Sequence, residues 1–114
     1  SAASVGPYSV VAENLGQLGS TDDVRSLTTN VRGRLGDAAA VVVLAAEVAG
    51  KAAIIIATTP AAREKGASAG ALARVASSVL GGGGGGKDDL AQGGGADPSA
   101  IGRAIEAVLT ELRS

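Results

Sequence analysis

Apolar positions follow two periods along this chain. Val24, Leu27, Val31 and Leu35 recur at spacings of three and four, which predicts a helix over 21–35 with these four on one face. Ser20 supplies an N-cap, with Asp23 three residues on in a capping-box arrangement, and Gly36 supplies the stop. By contrast, "AAAVVVLAAEV" and "KAAIIIATT" are unbroken runs rich in Val and Ile. Such runs predict strands covered on both faces, and the short Ala49–Gly50 break between them predicts a hairpin. "YSVVA", residues 8–12, reads as a further short strand, with Pro7 just before it.

The second half of the chain reads as helical. Thr59 and Pro60 suit a helix start. "AAREKGASAGALARVASSVL" then carries Leu72, Val75, Val79 and Leu80 on one side. Gly66 and Gly70 inside this pattern cost about 1 kcal/mol each against Ala, so something is expected to approach the backbone closely there. Asp97 and Pro98 open a last helix with an Ile101, Ile105, Val108, Leu109 and Leu112 stripe. The predicted order is β-α-β-β-α-glycine loop-α. This is an α+β fold with a small mixed sheet, helices packed on it, and a fourth short strand near 89–92. A length of 114 residues suits a single domain over 1–114. The lack of any Met suggests a fragment of a longer chain or a processed one.

Composition narrows the chemistry. The chain has no Cys, His, Met, Phe or Trp, and one aromatic residue, Tyr8. Disulfides, thiol nucleophiles, Ser-His-Asp constellations and the usual zinc ligand sets are therefore excluded. The longest uncharged apolar run, Ala38 to Ala46, is far shorter than the roughly 20 residues of a membrane span, so a soluble protein is expected. Ten basic and eleven acidic residues leave a net charge of −1. That disfavours a strongly electrostatic nucleic-acid binder but leaves room for a local basic face.

"GGGGGGKDDLAQGGG", residues 81–95, holds nine of the eighteen glycines. Too little chain follows it to make a second domain, so a plain linker is disfavoured. Fixing the six consecutive glycines costs roughly 0.4–1 kcal/mol each against Ala, which favours a loop that touches a ligand or stays mobile without one. The stretch matches G-x-x-x-x-G-K from Gly81 to Lys87. However, Asp88 stands where a P-loop needs Ser or Thr, and the run follows a helix rather than a strand. A backbone anion nest beside Lys87, suited to phosphate, remains. The expected picture is a mobile glycine run next to a fixed "DLAQGG" segment.

"KGASAGALARVASSVLGGGGGGKDDLAQGGGADPSAIGRAIEAV" closely resembles the C-terminal C-Ala module of bacterial-type alanyl-tRNA synthetases, within the DHH-associated domain superfamily. The resemblance rests on Val79-Leu80-Gly81, on Gly82 to Lys87 and on Asp89 to Gly94. Asp88 departs from it, where the family commonly carries proline. The resemblance implies a non-catalytic, cytoplasmic tRNA-binding module that contacts the outer corner of tRNA(Ala) and aids aminoacylation and editing. It also implies that the catalytic and editing domains are partners, and that ATP, magnesium and zinc are used there and not in this module. The RNA-binding residues it suggests are Gly83, Gly84, Gly85 and Gly86 as backbone donors and Lys87 as a phosphate contact. Gln92 would read or brace, and Gly93 to Gly95 would be close-approach positions. Arg63, Lys65 and Arg74 are candidate RNA contacts, while Arg25, Arg32 and Arg34 are read as solvated. Two other readings stay open: a self-association module forming a homo-oligomer, and the nucleic-acid substrate domain of a DHH-type phosphoesterase.

Overall fold

The computed structural model describes residues 2–114. Strand β1 (Ala2–Val5) and strand β2 (Tyr8–Gln17) form a hairpin. Helix α1 (Thr21–Arg34) leads to β3 (Ala40–Val48), and β4 (Lys51–Thr58) returns beside it. Helices α2 (Pro60–Glu64) and α3 (Ala69–Leu80) precede a second hairpin, β5 (Gly84–Gly86) and β6 (Leu90–Gly95). A 3-10 turn at Pro98–Ala100 opens α4 (Ile101–Arg113). The six strands form one mixed sheet in the order β1-β2-β3-β4-β6-β5, with β2 and β3 parallel across α1.

The sheet is covered on both sides. On one face Val24 of α1 packs with Val42, Leu44, Ile55 and Ala57. On the other, α2, α3 and α4 pack on Val41, Val43, Ile54 and Ile56 through residues such as Ala62, Leu72, Leu80, Ile101 and Val108. The uninterrupted Val and Ile runs of β3 and β4 follow from this, since residues pointing either way enter a core. Each such side chain contributes roughly 1.5–3 kcal/mol when fully buried. Ala49 and Gly50 both take positive φ, 53° and 79°, as a tight two-residue hairpin requires.

Several expectations change. The buried stripe of α1 runs through Val24 and Thr28, with Val31 and Leu35 half-buried, whereas Leu27 is 43% exposed. Thr28 satisfies its hydroxyl by donating to the Val24 carbonyl at 2.7 Å, which lets a polar residue occupy the stripe. The single helix expected from residue 60 onward is two helices. Gly66, at φ +107°, breaks the path, and Ser68 recaps α3 by accepting from the Ala71 N–H. β1 carries no strong pattern in the sequence. It pairs with β2 through Gly6–Pro7, where Gly6 takes φ +58°. Finally, the glycine run is not an open loop, because Gly84–Gly86 form the edge strand paired to β6.

Packing of this hairpin on α3 accounts for three of its glycines. A Cβ on Gly93 would lie 2.0 Å from Ser77 Oγ, and one on Gly84 would lie 2.5 Å from the same atom. A Cβ on Gly95 would lie 2.1 Å from the Leu80 carbonyl oxygen. From the other side, a Cβ on Gly70 would lie 2.6 Å from the Gly86 carbonyl oxygen. Gly70 is thus the close approach that a glycine inside a helical pattern anticipates. Ser77 is 1% exposed, and its hydroxyl has no hydrogen-bond partner. Ser77→Ala should therefore raise stability by about 1 kcal/mol, a small upward shift in Tm, because an unpaired buried hydroxyl is removed. Gly93→Ala should lower stability by about 1–3 kcal/mol through overpacking. Thermal melts of both variants check this, and a loss of stability in Ser77→Ala would contradict it.

Candidate nucleic-acid interface

The turn joining β5 to β6 is held from three directions. The Lys87 N–H donates to the Leu90 carbonyl at 3.1 Å. The Lys87 and Asp88 carbonyls accept from the Gly70 and Ala69 N–H groups at 3.0 and 2.9 Å, and Ser68 Oγ donates to Asp88 Oδ1 at 2.7 Å. The amides at the start of α3, which have no partner within the helix, are thereby satisfied by the turn and offer no vacant anion site. The Asp88 carbonyl also accepts from Thr58 Oγ1 at 2.6 Å. The Asp89 carbonyl accepts from the Thr58 N–H at 3.0 Å and from Arg32 Nη1 at 2.7 Å. Both aspartates brace the turn, Asp89 through its main chain. Lys87 stands exposed at the tip, and its side chain makes no hydrogen bond or ion pair with any described residue.

Gly84–Gly86 are extended and pair with Ala91, Gln92 and Gly93. A strand edge, rather than the curled nest expected from polyglycine, is what this backbone presents. One row of its peptide groups is tied to β6 and the other faces outward. Alternation along the strand sorts the positions. Gly84 and Gly93, which are register partners, lie against α3, while Gly85 and its partner Gln92 lie on the α1 side.

On that α1 side Arg25 uses one nitrogen for Asp22, at 2.6 Å, and donates another to Gln92 Oε1. Arg25 and Arg32 are seven residues apart, about 10.5 Å along a helix. Gln92 and Asp89 are three apart, about 10 Å along a strand. The two arginines therefore match the hairpin step for step and dock α1 alongside it. Arg63 donates to the Thr58 carbonyl and to Thr58 Oγ1. With Arg32, Thr59, Pro60 and Asp89 it lines a cleft of about 350 Å³ beside the turn. A larger open groove of about 660 Å³ lies at the root of the hairpin, between Thr21, Lys51, Gly83, Gln92 and Gly94.

The suggested residues thus separate. Gly83 to Lys87, Gln92, Gly93 and Gly94 belong to one hairpin, and Arg74 Nη1 sits 3.6 Å from the place a Cβ on Gly85 would take. Lys65 is exposed, and its carbonyl accepts from Tyr8 at 3.0 Å, which ties its main chain to the start of β2. Arg25 and Arg32, read from sequence as solvated, hold the hairpin instead. Their shared spacing with Thr21 on one side of α1 was the available signal. Lys51 carried no signal, because its place depends on the β3–β4 register.

Comparison with known proteins gives the class. The family model for the DHHA1 domain matches residues 8–114, and the chain belongs to that family. Its structure is similar throughout to the crystal structure of the C-Ala domain from Aquifex aeolicus alanyl-tRNA synthetase. The TM-score is 0.88 at 27% identity, over 100% of this chain and 99% of that one. The likeness supports a domain of an alanyl-tRNA synthetase. No curated protein sequence matches the chain. Among the described residues, no helix is long and apolar enough to cross a membrane.

Arg32→Ala should cost about 1–2 kcal/mol, since the Asp89 carbonyl loses a charge-assisted bond. It should also speed amide exchange over 87–90 while secondary structure persists. Hydrogen-exchange mass spectrometry checks this, and unchanged protection of that segment would contradict it.

Proposed function

We propose that this chain is a tRNA-binding C-Ala domain of a cytoplasmic alanyl-tRNA synthetase. It holds tRNA(Ala) at its outer corner for the aminoacylation and editing domains of the same enzyme. The observation that carries this reading is the end-to-end structural likeness to a C-Ala domain. The domain acts as one unit over 1–114 and needs no cofactor. ATP, magnesium and zinc serve the partner domains.

The chemistry of the hairpin supports an RNA partner. Lys87 projects from a braced turn, and the glycine edge strand carries no side chains to keep a polymer backbone away. The only aromatic residue is unavailable for base stacking, because Tyr8 is 8% exposed and its hydroxyl is engaged by Lys65. Recognition therefore rests on phosphates, ribose and shape rather than on aromatic platforms. With a net charge of −1 the domain binds weakly by itself, and tethering to the rest of the enzyme raises its effective concentration.

Gel-shift titration of the chain with a tRNA(Ala) transcript tests this. Affinity should fall as salt rises, and Lys87→Ala should weaken it about fivefold, the worth of about 1 kcal/mol. Binding that ignores both salt and the Lys87 change would contradict the proposal.

A further inference from the structure

Seven of the nine glycines between residues 81 and 95 are required by the fold. Gly82, Gly84, Gly86, Gly93, Gly94 and Gly95 would each place a Cβ within 2.9 Å of another atom, and Gly81 caps α3 at φ +80°. Gly83 and Gly85 differ. Neither has a positive φ; a Cβ on Gly83 would meet nothing within 4 Å, and one on Gly85 would meet only the tip of Arg74 at an ordinary distance. Glycine in a strand weakens it through lost unfolded-state entropy and missing side-chain contacts. The fold gives no return for that cost at these two positions.

Both lie on the α1 side of the hairpin. Gly85 is the register partner of Gln92, whose side chain meets Arg25 of α1, and Gly83 lines the groove at the hairpin root. Arg74 belongs to α3, and its Nη1 sits 3.6 Å from the place a Cβ on Gly85 would take. The Arg74 side chain makes no hydrogen bond or ion pair with any described residue. No acidic residue lines the root groove, whose one charged wall residue is Lys51. Asp22, on the first turn of α1, is engaged by Arg25.

From this juxtaposition we infer that the α1-side face of β5 is the contact surface for the sugar-phosphate backbone of an RNA strand. Gly83 and Gly85 are kept bare so that the strand lies directly on the peptide plane, with Arg74 and Lys51 flanking its phosphates. This deepens the tRNA-binding reading and rests on it. It assigns to Gly83 and Gly85 a role distinct from that of Gly84, Gly93 and Gly95, which serve packing on α3.

The variants Gly83→Ala, Gly85→Ala and Gly85→Val test it by melting temperature and by tRNA titration, alongside the unchanged chain and Lys87→Ala. The expected result is an unchanged or raised Tm, with affinity reduced about tenfold or more for Gly85→Val. Arg74→Ala should lower the slope of log affinity against log salt by about one. Variants that bind like the unchanged chain, while Lys87→Ala binds less well, would overturn the bare-face inference and leave the tRNA reading standing. Failure of the unchanged chain to bind tRNA would overturn both. Unfolding of the Gly83 and Gly85 variants would show that the fold demands these glycines too, and would overturn the inference. Self-association of the chain that these substitutions abolish would assign the face to a second copy instead.

Discussion

The close approach of α3 to the β5–β6 hairpin is the constraint on which this end of the molecule depends. Helix and hairpin meet main chain to main chain, with the Ser77 side chain as the spacer at the Gly84–Gly93 pair. That contact needs Gly70 on the helix and Gly84, Gly93 and Gly95 on the hairpin. It also brings the turn carbonyls of Lys87 and Asp88 to the first amides of α3, so that the helix start and the hairpin tip satisfy each other. Thr58, Arg32 and Arg25 then tie the hairpin to β4 and α1. A segment that looks slack by composition is positioned by backbone contacts on one side and by two arginines on the other.

This arrangement separates two uses of glycine. On the α3 side, glycine permits packing. On the α1 side it leaves an edge strand without side chains, near Arg74, with a groove at its root and Lys87 at its tip. A chain with one buried aromatic and a net charge of −1 cannot rely on stacking or on a broad positive field. It can present a short, shaped strip of peptide backbone flanked by a few cations. That suits the sugar-phosphate surface of a folded RNA held mainly by other parts of a larger enzyme.

Much of the architecture was legible in the sequence. The Val and Ile runs of β3 and β4, their Ala49–Gly50 turn, the caps at Ser20 and Thr59, and the α4 stripe each carry a local signal that tertiary packing reinforces. β1 was not legible, because Ala2–Val5 is short and weakly patterned, and its strand state depends on pairing with β2. The break at Gly66 was hidden by helix-forming residues on both sides. β5 could not be read at all, since polyglycine has no strand propensity and is held in place by β6 and α3. At the interface, the hairpin residues announced themselves by composition. The docking role of Arg25 and Arg32 emerges only once α1 lies beside β6, and which glycines face which side follows from register alone.

The central claim is that RNA meets the α1-side face and tip of the β5–β6 hairpin, and amide-resolved NMR titration of the labelled chain with tRNA(Ala) tests it most directly. The account predicts shifts or broadening concentrated at Gly83, Gly85, Lys87, Gln92 and the Arg25 turn of α1, with α4 and the β1–β2 hairpin unmoved. Perturbations confined to α4 or to β1 and β2, with the glycine amides unchanged, would contradict it.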